Sequence, residues 1–438
     1  MKKISRIRFS YVWAVSRPLR TRPLLRSTIA IAVLVAIVAV FLVHTVLPAA
    51  GRLTNGFLAY YVGAQTIRNG EPAARLYDDA WFSARVKEVS GGRVTDIYLP
   101  NPPVMAVAWV PFAYLNVEQA RKLWIGLSVL WLGIAVGLIA TQLSGSWQLL
   151  GLAGLAALFT LPAPAREQFL LGQMYSFVLL LHVIGWRAYA RRRDALAGVA
   201  LGVAIALKLS GWPIGLLMIA QRRWTAVWSS IVTGISVVAI TLPWVGIDAW
   251  RAFFFVGIPQ ALRRPGATLT VYQDTGGFWQ HWLRYDLHVN PHPIFNAPAL
   301  ASILTVGTAA AACFALIARR RPVYVSYAAA VALVELLSPA AEQYHYIVLL
   351  LPLAVLWHEA WLLRSRGALC AACVATLLIA WPMNYKAPHP AWALLLSYPR
   401  LIGGWIGFAA LLVAWRDKRL TTPEHQTSPV TNVKVCKK

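Results

Sequence analysis

The run from Thr28 to Ala49, TIAIAVLVAIVAVFLVHTVLPA, decides what kind of molecule this is. It contains no Lys, Arg, Asp or Glu, and about 20 such residues in a helix cross the hydrocarbon core of a bilayer. Leu123 to Ile139, Val227 to Val245 and Leu300 to Ala318 repeat the pattern further along. In lipid, every backbone N–H and C=O must find its partner within its own segment, and these blocks lack the alternation of a barrel strand, so they are read as helices. Composition agrees: 58% of the 438 residues are hydrophobic and only 13% are charged, with a mean hydropathy of +0.58. That balance excludes an ordinary soluble enzyme of this length.

A net charge of +25 invites a nucleic-acid reading, and the placement of the charge excludes it. Lys2, Lys3, Arg6, Arg8, Arg17, Arg20, Arg22 and Arg26 precede the first apolar block with no acidic residue among them. Short basic knots then recur at Arg191 to Arg193, Arg222 to Arg223, Arg319 to Arg321 and Arg364 to Arg366, each at the end of an apolar block. This is the positive-inside pattern of cytoplasmic turns. Leu47-Pro48-Ala49-Ala50 resembles a signal-peptide cleavage site, but the preceding block is longer than an h-region and further spans follow, so a retained signal anchor is expected. Cys370 and Cys373 have CxxC spacing inside an apolar segment without nearby ligand residues, so neither metal nor disulfide is assigned.

With the knots inside, two polar stretches fall outside, residues 51–101 and 246–297, both rich in Trp, Tyr, Gly and Pro. The first is expected to hold two amphipathic helices lying on the membrane surface: one over Phe57 to Ile67 ending at Asn69-Gly70, the other after Asp78-Asp79, with Asp79 as its N-cap. Pro100-Asn101-Pro102-Pro103 marks an extended approach to the next span. Between Arg193 and Arg222 there are too few residues for two crossings, and Lys208-Leu209-Ser210-Gly211-Trp212-Pro213 interrupts the middle, which predicts a short helical V dipping into the membrane. A similar break is expected around Pro162-Ala163-Pro164. The count comes to about ten to thirteen membrane helices with both termini cytoplasmic, residues 1–27 forming a basic amino terminus, 28–415 the membrane domain, and 416–438 a disordered tail.

A lysine within a membrane segment is costly unless it snorkels, pairs or meets a ligand. Lys208, at a helix break, is read as a cation holding a phosphate group, and Arg166 and Glu167 at the other break admit the same reading. Glu335 and the cluster Ser338 to Tyr346, with Glu342 and His345, form a polar turn at the outer end of a span, placed to line a site.

The order of these features resembles glycosyltransferase family 87, the polyprenol-phosphate-mannose-dependent α-mannosyltransferases and their bacterial relatives of the GT-C class. The resemblance rests on Phe57 to Tyr61 with Gly70 and Leu76-Tyr77-Asp78, on Pro100-Asn101-Pro102-Pro103, on Gly172-Gln173, on Gly198 with Lys208 and Pro213, and on Ser338-Pro339 with His345-Tyr346. It runs from the first span to about Trp361. It implies an all-α, multi-pass membrane bundle of GT-C type in the cell membrane, with an extracytoplasmic active site beneath the first loop. It also implies a polyprenyl-phosphate-linked hexosyl donor, in the first instance mannosyl, a glycan or glycolipid acceptor, inversion at the anomeric carbon, membrane lipid as the other partner, and no cofactor. Such chemistry needs a carboxylate base for the acceptor hydroxyl and polar or cationic groups for the departing phosphate.

Tyr60, Tyr61, Asn101, Gln173, Lys208, Glu342 and His345 are the expected substrate-binding residues. The family pattern has an acidic residue immediately before Phe57, whereas here that position is Gly56, preceded by Asn55. A base must then come from elsewhere in the loops, and Asp78, Asp79 and Asp96 are the candidates in that order, with Glu342 behind them. A cap, turn or solvated role competes at each. Two other readings remain open on sequence: a transporter or lipid-linked sugar flippase built on broken helices, and a relative that binds lipid-linked sugar without transferring it.

Overall fold

The computed structural model describes residues 23–143, 149–263, 269–339, 341–382 and 396–413. The greater part of the basic amino terminus and the whole of the carboxy-terminal tail, 416–438, lie outside these. The described residues form an all-α membrane protein. Five helices are long and apolar enough to cross a bilayer: Ser27–Ala50, Val117–Leu143, Trp224–Ala261, Pro298–Ile317 and Gln343–Leu362. Shorter apolar helices, among them Val323–Leu336 and Pro399–Val413, complete the bundle. The expected count of ten to thirteen included pieces that breaks leave too short to cross unaided.

Those breaks have local causes. Pro162 and Pro164 open the helix Ala163–Leu171, where a missing N–H costs nothing, and Gly172 closes it in the left-handed region at φ 64°. The helix Asp194–Lys208 ends on Leu209, also left-handed. Gly211 at φ 118° and Pro213 in the first turn then start Trp212–Ala220. The expected V is present, and its two ends are tied together. Arg223 Nη2 lies 2.5 Å from Asp194 Oδ1, and the Tyr189 hydroxyl donates to Gln221 Oε1 at 2.9 Å. Turns in such contact share one level, so the chain between them goes in and comes back.

The V packs tightly on the long helix Trp224–Ala252. Gly198 and Gly202, one helical turn apart, face it. A Cβ at Gly198 would lie 2.2 Å from Ala226 O, and one at Gly202 2.5 Å from Ser230 O. Small residues at this spacing let two backbones approach, which is how helices associate where apolar burial gives no drive. The long helix is kinked at Gly246, whose φ of 71° and ψ of 164° are non-helical. Helical structure therefore continues into the first part of the second outside stretch.

The first outside stretch differs from expectation in two respects. Phe57–Arg68 is a helix, but ten of its twelve residues, from Phe57 to Ile67, are buried. Instead of lying on the surface, it packs beneath the loop, where Tyr60 meets Trp109 at 4.9 Å and Trp109 meets Trp124 at 3.9 Å between ring centroids. In the second helix, Asp79–Val89, the cap is Asp78 rather than Asp79: its Oδ1 accepts from Trp81 N at 3.1 Å. An N-cap sits one residue outside the first helical position, and adjacent aspartates leave that choice open to sequence.

Candidate active site

Lys208 ends the first arm of the V, and the αL residue after it turns the chain away and leaves the ammonium directed into the bundle. Its Nζ donates to Asn101 Oδ1 at 2.8 Å. It also stands over two aromatic rings, Tyr60 at 4.9 Å and Tyr175 at 5.5 Å from the centroids. Such faces attract a cation by ~0.5–2 kcal/mol, and together with Asn101 they hold the lysine without neutralising it. Asn101 is itself fixed: its Nδ2 donates to Tyr98 O at 2.7 Å, and its carbonyl accepts from the Tyr77 hydroxyl at 2.9 Å. The prolines flanking Asn101 make the extended strap that brings a first-loop amide to a lysine 107 positions away.

The wall opposite is set by Gly172-Gln173. Arg121, fully buried near the start of a span, donates to Ala49 O, Phe169 O and Leu170 O at 2.8, 3.1 and 2.7 Å. Those carbonyls are in the last turns of two helices, where acceptors are left over and the dipole is negative. Trp124 Nε1 adds a bond to Gly172 O at 2.9 Å. Gly172 must lack a side chain, because a Cβ would fall 1.8 Å from Arg121 Nη1. Gln168 braces the same turn, donating to Gln173 O and accepting from Tyr175 N. Gln173 then accepts the Tyr60 hydroxyl proton on Oε1. Tyr61 faces elsewhere and donates to Leu115 O at 2.7 Å.

Of the three aspartates, Asp96 reaches this cluster. Its Oδ2 accepts from Gly56 N at 2.5 Å and its Oδ1 from Ile97 N at 2.9 Å. It lies within electrostatic reach of Lys208 and Tyr60. Burial pushes its carboxyl up to about 6, against the backbone bonds from Gly56 and others and the attraction of Lys208. Gly56 has no carboxylate, yet the carboxylate of Asp96 is bonded to its amide, 40 positions on. Asp78 is exposed and engaged as a cap. Asp79 is half-buried, its carboxyl raised by burial and then by Asp78, with no interaction with Lys208.

A third side comes from the segment after Ser338. The polar turn of the sequence is a buried 3-10 helix, Gln343–Leu349. His345 stacks against Tyr344 at 4.4 Å and meets Tyr175 at 4.2 Å, and its Nδ1 accepts from Glu342 N at 2.9 Å. An acceptor Nδ1 places the proton of a neutral imidazole on Nε2, which leaves that edge a donor. Glu342 lies within electrostatic reach of Lys208. Glu167 faces Arg400 and Arg166 is exposed, so neither joins the cluster.

Tyr175 is the group the sequence reading overlooked. It touches Lys208, His345 and Tyr344, and its only local signal is its position as the first residue of a helix two places after Gly172-Gln173.

A lysine at a helix break, a loop carboxyl raised towards neutrality within its electrostatic reach and a histidine with a donor edge gather in one buried cluster of the membrane bundle. The model of glycosyltransferase family 87 matches residues 98–339, more than half of the chain, and the chain belongs to that family. It is a membrane glycosyltransferase. The matched region contains Asn101, Gln173 and Lys208, while Tyr60, Asp96 and His345 lie outside it. No curated protein sequence and no solved structure matches the chain.

Proposed function

We propose that this glycosyltransferase moves a hexosyl group, mannosyl in the first instance, from a polyprenyl-phosphate donor to an extracytoplasmic glycan or lipid-glycan acceptor, in the cell membrane and with both termini cytoplasmic. The observation that carries the reading is the placing of Asp96 beside Lys208 and Tyr60. A cation at a helix break with a base on the loop near it suits a reaction in which a phosphate leaves as a hydroxyl attacks.

In this scheme Asp96 takes the proton of the acceptor hydroxyl as its oxygen forms a bond to the anomeric carbon. The bond from that carbon to the phosphate oxygen breaks, its electron pair leaves on the phosphate, and the configuration inverts. Lys208 and the Nε2–H of His345 stabilise the charge that grows on the departing phosphate. Gln173, Tyr60 and Asn101 keep the cation and the pocket wall in register, and the prenyl chain stays in the bilayer. Asp78 and Asp79 shape the loop helix above, Tyr61 fixes its packing, and Glu342 orients His345.

Purified protein in nanodiscs, given a panel of labelled polyprenyl-phosphate sugars and lipid-glycan acceptors, should yield a glycosylated product with at least one donor. Movement of labelled lipid across a vesicle bilayer with no transfer from any donor would overturn the proposal in favour of a flippase.

A further inference from the structure

Glu335 occupies a poor place for an acid that only fills space. It is on the last turn of the helix Val323–Leu336, where peptide dipoles present their negative end. It is 1% exposed, and its Oε1 has no hydrogen-bond partner. The large majority of buried side-chain polar atoms in native proteins are hydrogen-bonded, because desolvation is otherwise uncompensated. Two tyrosine hydroxyls within its electrostatic reach do not serve. The hydroxyl proton of Tyr346 goes to Gln273 O, and no hydrogen bond joins Glu335 to Tyr175, although both tyrosines are within electrostatic reach of the carboxyl.

Tyr175 connects this acid to the site. Its ring is in contact with Lys208 on one side and His345 on another, so Glu335 stands one aromatic residue away from the groups assigned to the phosphate. A phosphate held at Lys208 places the sugar it carries within a ring's width, and a sugar presents hydroxyl donors. The missing partner of Oε1 is a donor of that kind. From this geometry we infer that Glu335 is a substrate-binding residue whose Oε1 accepts a hydrogen bond from a hydroxyl of the transferred sugar, and that it selects the donor by that contact. The inference rests on the proposed lipid-phosphate sugar donor.

The test compares the wild type with Glu335→Gln and Glu335→Ala on polyprenyl-phosphate mannose and its monodeoxy analogues. The wild type should lose roughly 10- to 100-fold in kcat/KM on the one analogue that lacks the contacted hydroxyl. Glu335→Ala should be slow on the parent donor but indifferent to that deletion, and Glu335→Gln, which keeps an acceptor oxygen of similar shape, should retain part of the discrimination. An acid with a purely structural role would slow all donors by the same factor in both variants, and that result would overturn the inference while leaving the transferase reading intact. If Glu335→Ala does not fold, discrimination in Glu335→Gln that is reduced but not abolished, as a neutral acceptor oxygen would give, supports the inference, and discrimination equal to the wild type's overturns it. A wild type that uses another polyprenyl-phosphate hexose instead of mannose takes the same comparison on that sugar's monodeoxy analogues, and one that transfers from no such donor overturns both readings together.

Discussion

Asp96 and Asp78 differ little as letters in a loop, yet opposite outcomes are expected when each is changed. Asp78 accepts from the Trp81 amide at the start of a helix, so Asp78→Ala should cost ~1 kcal/mol of stability and leave transfer by the folded protein near the wild-type rate. Asp96→Asn keeps the shape and removes the base, and should lower kcat by roughly 10²-fold or more; since both carboxylate oxygens accept from backbone N–H groups and an amide has one acceptor oxygen, it should also cost ~1–2 kcal/mol of stability in detergent. Equal activity of Asp96→Asn and wild type would sink the assignment. The carboxyl of Asp96 is pushed up to about 6, chiefly by burial. A base works only when deprotonated, so kcat/KM should fall as the pH drops through about 6 and decrease ~10-fold per unit below it. Lys208→Met should remove the cation that faces Asn101 and raise KM or lower kcat by roughly 10², read in the same assay. Lys208 was legible from sequence because a charge in an apolar break has few bland explanations. Asp96 was a candidate ranked behind Asp78 and Asp79, since what sets it apart is a bond to the Gly56 amide across 40 positions, and nothing local to residue 96 records that approach.

At the level of helices, the apolar runs declared themselves because the bilayer imposes length and composition together, and the V declared itself through arithmetic and proline placement. Burial of Phe57–Arg68 was harder to read. Its tyrosines suit an interface as well as a core, and what decides is the tryptophan wall from Trp109 and Trp124, contributed by segments some 50 or more positions away. Gly198 entered the sequence reading only as part of the resemblance, with no packing role. In the structure, Gly198 and Gly202 set how near the lysine-bearing arm comes to Trp224–Ala252, through backbone atoms that have nowhere to go. Gly202→Val should therefore push the two helices apart and cost ~1–3 kcal/mol by overpacking, seen as a lowered melting temperature in detergent. Because the same displacement moves Lys208, KM for the donor should rise in that variant. Gly215→Val, placed where a Cβ only just touches Leu201 Cδ2 at 4.0 Å, is the control and should melt close to the wild type.

Across the whole molecule, the basic knots do two kinds of work. Arg192, Arg222 and Arg364 each sit at positive φ in tight turns that reverse helices, and their charge fits the positive-inside rule. Arg223 differs, being buried against Asp194 and lying 3.8 Å from the ring of Tyr189, so it binds one turn to the other. The V between them has arms of 15 and 9 residues, about 22 and 14 Å at helical rise, short of the roughly 30 Å of hydrocarbon. Neither arm can cross, and the lysine at its apex reaches the site from within the membrane while the loop carrying Asp96 reaches it from the far side. This arrangement fixes a labelling result. In a variant with Cys313, Cys370, Cys373 and Cys436 replaced, single cysteines at exposed Arg192 and Arg222 should both react with an impermeant maleimide in inverted vesicles only. A cysteine at exposed Lys87 should react in right-side-out vesicles only. Reaction of Arg192→Cys and Arg222→Cys from opposite faces would mean that the segment crosses, which the Arg223–Asp194 contact forbids, and Lys208 and Asp96 could not then share a site.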